Sequence, residues 1–130
     1  MQTLSLRSTQ REELIDITDT VRHVVRAQGW RKGMLLLYCP HTTGALAVNE
    51  HADPDVRRDI AINMGKLVPR QGDYRHAEGN SDAHIKTSLL GPAQMLIVED
   101  GEIMLGTWQG IYFCEFDGPR QRSLWAQFVG

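Results

Sequence analysis

The sequence predicts an α+β domain, on three observations. Apolar residues recur with strand periodicity over most of the chain. Helical periodicity appears in only three stretches, and the two kinds of segment do not alternate as regular βαβ units. The length of 130 residues fits one domain spanning 1-130, with no internal repeat or linker. A chain of this size buries about two-thirds of the surface it exposes when unfolded, so it needs neither a disulfide nor a structural metal to fold.

Thr3 to Ile17 alternates around Leu4, Leu6, Leu14 and Ile17 and reads as two short strands with a polar turn near Arg11-Glu12-Glu13. Asp19 or Thr20 offers an N-cap for a helix that places Val21, Val24 and Val25 on one face and stops at Gly29. Met34 to Cys39 is a buried strand, ended by Pro40, which has no N–H for a hydrogen-bond ladder. Gly44 to Val48 follows as another strand. Asp53-Pro54-Asp55 starts a helix with a capping carboxylate, a proline in the first turn and a second acid that suits the helix dipole. Val56, Ile60, Met64 and Leu67 line one face of it as far as Pro69. Residues 70 to 80 read as a loop, and Ser81 as the cap of a helix from Asp82 to Leu90. Gln94 to Val98 and Ile103 to Leu105 form a hairpin whose Asp100-Gly101 fits a type I′ turn. Gly110 to Phe116 alternates, with Tyr112, Cys114 and Phe116 on one face and Ile111, Phe113 and Glu115 on the other. Arg122 to Val129 is the last strand.

A formal net charge of −2 gives no basic excess, which argues against a nucleic-acid partner. No apolar run approaches the roughly 20 residues of a membrane span, and the N-terminus has no signal-peptide pattern. Cys39 and Cys114 sit within apolar strands, not in a spaced framework. They read as reduced core residues of a cytoplasmic protein.

Chemistry concentrates in His76-Ala-Glu-Gly-Asn-Ser-Asp-Ala-His84 and in Cys39-Pro-His-Thr-Thr-Gly44. Imidazole is the commonest metal ligand, and three protein ligands leave a tetrahedral ion one open position. His41, His76 and His84 are therefore the candidate ligands of a divalent metal, and imidazoles suit zinc better than magnesium. His23 and His51 read as surface residues. Glu50 and Glu78 are candidate general bases, and Asp82 a partner for an imidazole N–H. Arg120, Arg122, Lys86 and the Thr42 and Thr43 hydroxyls can meet a phosphate, with Asn80 a further polar contact. Trp108, between Gly106 and Gly110, is costly to expose unless it stacks on a ligand or a partner. From the residues alone the expected chemistry is metal-assisted hydrolysis, with a metal-bound water as nucleophile.

Three longer stretches resemble a known family. They are His41-Thr-Thr-Gly-Ala-Leu-Ala-Val-Asn-Glu50 with Asp53-Pro-Asp-Val56, then the segment from His76 through His84 to Gly91, and Leu105-Gly-Thr-Trp-Gln-Gly-Ile-Tyr-Phe-Cys-Glu-Phe-Asp-Gly-Pro-Arg120. The resemblance is to the YjbQ-like family, often labelled secondary thiamine-phosphate synthase. It implies an α+β fold with a mixed sheet. With the pattern above, that makes a mixed, mainly antiparallel sandwich with about three helices. It also implies a homotrimer with a metal pocket at or near the subunit boundary, where His41, His76 and His84 match the family's histidines. The implied reaction joins a pyrimidine diphosphate to a thiazole phosphate and releases pyrophosphate. Two other functions stay open: a hydrolase using a metal-bound water, and a non-catalytic trimer that binds a metal or metabolite. This chain has Gly44 where many relatives carry alanine.

Overall fold

A computed structural model describes all residues, Met1–Gly130. In chain order the elements are β1 (Gln2–Arg7), β2 (Glu13–Asp16), α1 (Thr18–Ala27), β3 (Gly33–Tyr38), β4 (Gly44–Glu50), α2 (Pro54–Leu67), α3 (Ser81–Leu90), β5 (Ala93–Glu99), β6 (Glu102–Ile103), β7 (Gln109–Glu115) and β8 (Gln121–Val129). They form a five-stranded sheet, β1-β8-β3-β5-β6, and a three-stranded sheet, β2-β7-β4. Every strand pair is antiparallel.

The two sheets pack face to face. Leu4, Leu35, Leu37 and Leu124 of the larger sheet meet Leu46, Ile111 and Phe113 of the smaller one, and Val21 and Val25 of α1 join this core. The other face of the small sheet presents Leu14, Ala45, Tyr112 and Cys114 to Ala83 of α3 and to Ile60 and Ala61 of α2. Strand β7 is thus covered on both sides, and Gly110 to Glu115 is buried without interruption. Its alternation separates two cores rather than core from solvent.

Several local details differ from the sequence expectation. β1 and β2 are adjacent in the chain but do not pair; β1 joins β8 and β2 joins β7, so the turn between them crosses from one sheet to the other. Helix α1 begins at Thr18, whose N–H and hydroxyl donate to the Asp16 carboxylate at 3.0 and 2.6 Å. Ser81 is the first helical residue of α3, and Asn80 holds the cap position with its side chain engaged elsewhere. Helix α2 starts as expected, with the Asp55 N–H donating to Asp53 at 2.9 Å. Its apolar stripe is only half-covered: no residue of α2 is buried. The β5–β6 turn has φ of 51° at Asp100 and 76° at Gly101, the two positive values a type I′ turn requires.

Both cysteines are free and buried, and burial pushes the Cys114 thiol up to about 12. The outer face of the larger sheet remains apolar, exposing Met34, Tyr38, Met95, Ile97 and Trp125. No helix is long and apolar enough to cross a membrane.

Candidate functional site

The end of the small sheet where β7 finishes collects an unusual number of charges. Glu115 is fully buried and accepts hydrogen bonds from Ser8 Oγ at 2.6 Å, Arg122 Nε at 2.9 Å and the Asp117 N–H at 3.0 Å. A second Arg122 nitrogen also reaches Glu115, and donates to the Thr43 carbonyl and hydroxyl at 3.1 and 2.9 Å. Burial alone would raise the Glu115 pKa. The hydrogen bonds from Arg122, Ser8 and Asp117 outweigh it and hold the carboxyl below the usual range. A second buried carboxylate, Asp82 of α3, on the helix-covered side of the small sheet, accepts a fork from Arg11 at 3.2 and 2.9 Å and a bond from Lys86 at 3.0 Å. Lys86 also pairs with Glu12.

These pairs correct two expectations. Lys86 and Arg122 are 1% and 2% exposed, so neither lies at an open mouth where it could meet a phosphate. Each neutralises a buried carboxylate, which could not otherwise stay ionised there. The Thr43 hydroxyl is likewise committed to Arg122, whereas Thr42 is exposed.

The imidazoles lie just outside this charged layer. His76 and His84 stand edge to face with ring centroids 5.6 Å apart, in a cleft of about 520 Å³ that Arg75, Tyr74 and Ser81 also line. Loop 70–80 delivers His76, and the first turn of α3 delivers His84. Asn80 Nδ2 donates to Asp117 at 2.9 Å, which turns its Oδ1 toward His76 Nε2 at 3.1 Å. The Glu78 carboxylate lies 3.7 Å from the same ring nitrogen. Two acceptors facing one nitrogen place the proton on Nε2, so Nδ1 of His76 carries the free lone pair. Arg120 closes the network from the far side, donating to the Asp117 carboxylate at 3.1 Å and its carbonyl at 2.9 Å.

His41 is placed differently. Pro40 ends β3, and the last β3–β8 pair is Tyr38 with Trp125. Two residues earlier in β8, the Ser123 N–H has no partner strand on its β3 side and donates to His41 Nε2 at 3.0 Å. Within the chain no three His, Cys, Asp or Glu side chains gather as a metal would require. The structure therefore brings His76 and His84 together and leaves His41 outside their set.

Glu50 and Trp108 are also apart from the cleft. Glu50 pairs with Gln109 at the start of β7, and Gly44 with Glu115 at its end. A strand of 7 residues sets these ends about 20 Å apart. Trp108 is 62% exposed on the turn before β7, and its carbonyl accepts from the His51 N–H at 3.0 Å. His51 is tied in turn to Asp16 at 2.8 Å. At Gly44 a Cβ would come 2.6 Å from the Phe113 ring, so an alanine here needs that ring to move.

Sequence reading missed Asp117, which joins Asn80 to Arg120, and Arg75, a cation lining the cleft. Asp117 sits in a Gly-Pro turn and Arg75 in an aperiodic loop, so neither had a pattern to mark it. Glu115 carried a usable signal: a carboxylate on the inward face of an apolar strand needs a buried cation.

The chain matches the family model described as UPF0047 protein YjbQ-like over residues 2–130. It is 47% identical to the UPF0047 protein YugU of Bacillus subtilis, covering 100% of this chain and 99% of that protein. A UPF0047 protein of Methanocaldococcus jannaschii is 45% identical over 96% of this chain and 91% of its own length. Among solved structures, an uncharacterised YjbQ/UPF0047 protein of Clostridium acetobutylicum superposes with a TM-score of 0.96 at 50% identity, covering 99% of this chain and 100% of that one. The hypothetical protein APE1520 of Aeropyrum pernix superposes at 0.94 with 34% identity, covering 99% and 97%. The sequence match over nearly the whole chain and the shared fold thus show a protein that belongs to the YjbQ-like UPF0047 family.

Proposed function

We propose that this protein binds a zinc-type divalent ion in the His76–His84 cleft and acts there on a phosphorylated small molecule. The observation that carries the reading is the imidazole pair itself. Two imidazoles on one tetrahedral ion at about 2.0–2.1 Å hold their ring centroids roughly 5 Å apart, near the 5.6 Å seen here. The cleft volume of about 520 Å³ suits a metabolite-sized ligand.

His76, through Nδ1, and His84 would hold the ion, which when bound supplies Lewis acidity toward a phosphoryl oxygen. Arg75 in the cleft wall and Arg120, 48% exposed beside Asp117, bind and orient the phosphate. Asn80 fixes the His76 ring, and Glu78 is placed to accept a proton. One chain offers two imidazoles, whereas catalytic zinc sites usually hold three protein ligands. A second copy of the chain completes the site in this reading, in a homotrimer that also covers the apolar outer sheet face. Coupling of a pyrimidine diphosphate to a thiazole phosphate would need Trp108 from such a neighbour as its stacking surface, because the chain's own Trp108 is remote. Hydrolysis needs no such surface, and the residues of the cleft favour it.

Elemental analysis of tag-free protein, followed by zinc titration of wild type and His84→Ala, tests the reading. Zinc bound by the wild type and lost in the variant is the expected result, with turnover of a phosphorylated substrate in a panel covering phosphatase and thiamine-phosphate assays. Equal zinc binding by both proteins would move the metal elsewhere.

A further inference from the structure

His41 lies in the histidine motif expected to ligate metal, yet its surroundings give it another task. A backbone N–H can only donate, so the bond from Ser123 to His41 Nε2 occupies that nitrogen's lone pair. A neutral ring then carries its proton on Nδ1, which has no lone pair to offer. A protonated ring would set one N–H against another, so the contact also excludes the charged form. Burial, then the nearby Arg122 charge, holds His41 below the ordinary imidazole pKa.

The groups that face His41 suit an anion. Arg122 and Arg120 are both close enough to act on the ring electrostatically, as is the opposing carboxylate of Glu115. Arg122 already neutralises Glu115, whereas Arg120, paired with Asp117, is half-exposed. The hydroxyl of Thr42, the next residue, is exposed. His41 Nδ1–H has no acceptor within the chain, and nor does the Thr42 hydroxyl. Pro40 is the reason for this arrangement: it ends the β3 ladder, frees the Ser123 N–H, and lets a side chain take the place of a strand.

We infer that His41 is a fixed, neutral hydrogen-bond donor to an anionic oxygen such as that of a phosphate ester, and not a metal ligand. The inference rests on the proposed reading that the site takes a phosphorylated ligand. It divides the motif histidines by role: His76 and His84 present lone pairs to a cation, and His41 presents a proton to the anion.

Long-range proton–nitrogen NMR of the wild-type protein, with His41 assigned by a His41→Gln variant, reads the tautomer directly. The expected spectrum has His41 protonated on Nδ1 and unaltered by added zinc, while His76 and His84 respond. A His41 ring protonated on Nε2, or one that shifts with zinc as the other two do, overturns the assignment. Inorganic phosphate is the second probe, titrated calorimetrically. Its affinity should fall about tenfold or more in His41→Ala, as for loss of a hydrogen bond to a charged group, while zinc affinity is unchanged. Phosphate binding that is equal in wild type and variant overturns the donor role alone. Absence of phosphate binding in the wild type overturns the phosphorylated-ligand reading together with it.

Discussion

At the scale of single residues, Glu115 and Arg122 form the buried ion pair at the end of β7. Replacing Arg122 with alanine leaves a buried carboxylate without its cation, a change that typically costs about 3–5 kcal/mol. The pH dependence of that loss has a definite sign. In the wild type Glu115 and Asp82 are held below their ordinary values of 4.5 and 3.8. The unfolded chain therefore binds protons first as pH falls, and stability is present above those values and lost on acidification through them. Without Arg122, burial dominates and the Glu115 pKa rises above its unfolded value. Its contribution then improves as pH falls through the new folded value. Urea denaturation at pH 7 and pH 5 should show the Arg122→Ala deficit shrinking at the lower pH. A deficit that is constant or grows would mean that Glu115 keeps another partner. The histidines of the cleft were legible in the sequence because they are rare and crowded into one segment. The burial of Lys86 and Arg122 was not, since exposed and neutralising cations have the same local pattern.

Elements whose boundaries are set by backbone chemistry were the most readable. Asp53-Pro54 marked the start of α2, Asp100-Gly101 marked the β5–β6 turn, and the alternation in β7 separated its faces correctly. Strand partners were not readable: pairing is a long-range choice, and nothing between Arg7 and Glu13 announces a change of sheet. The cap of α2 gives a test at this scale. Asp53→Ala should cost about 1 kcal/mol by loss of a first-turn acceptor. Because α2 buries no residue completely, the damage should stay local. Amide exchange is expected to quicken in the first turn of α2, with β7 protection almost unaltered. Loss of protection throughout the sandwich would show that α2 is part of the cooperative core.

The molecule as a whole has an asymmetry that its two cores explain. Helices cover the small sheet, but nothing covers the outer face of the large one, where Met95 and Ile97 are 66% and 60% exposed. A second copy of the chain is the covering expected from the proposed assembly, and light scattering should give the mass of a trimer. Ile97→Lys should reduce that mass to a monomer's, since burying a lysine at an apolar contact is unfavourable. An unaltered mass would place the contact on another face. Assembly was indicated in the sequence only by resemblance, because an apolar outer strand position and an apolar inner one look alike. The buried thiols Cys39 and Cys114 have a different consequence. Thiolate is the reactive form, and burial raises the pKa of both groups. An alkylating reagent therefore finds no target in the closed sandwich, and each modified molecule records one opening event. Two native cysteines, with no added label, make this chain its own clock for how often its interior meets water.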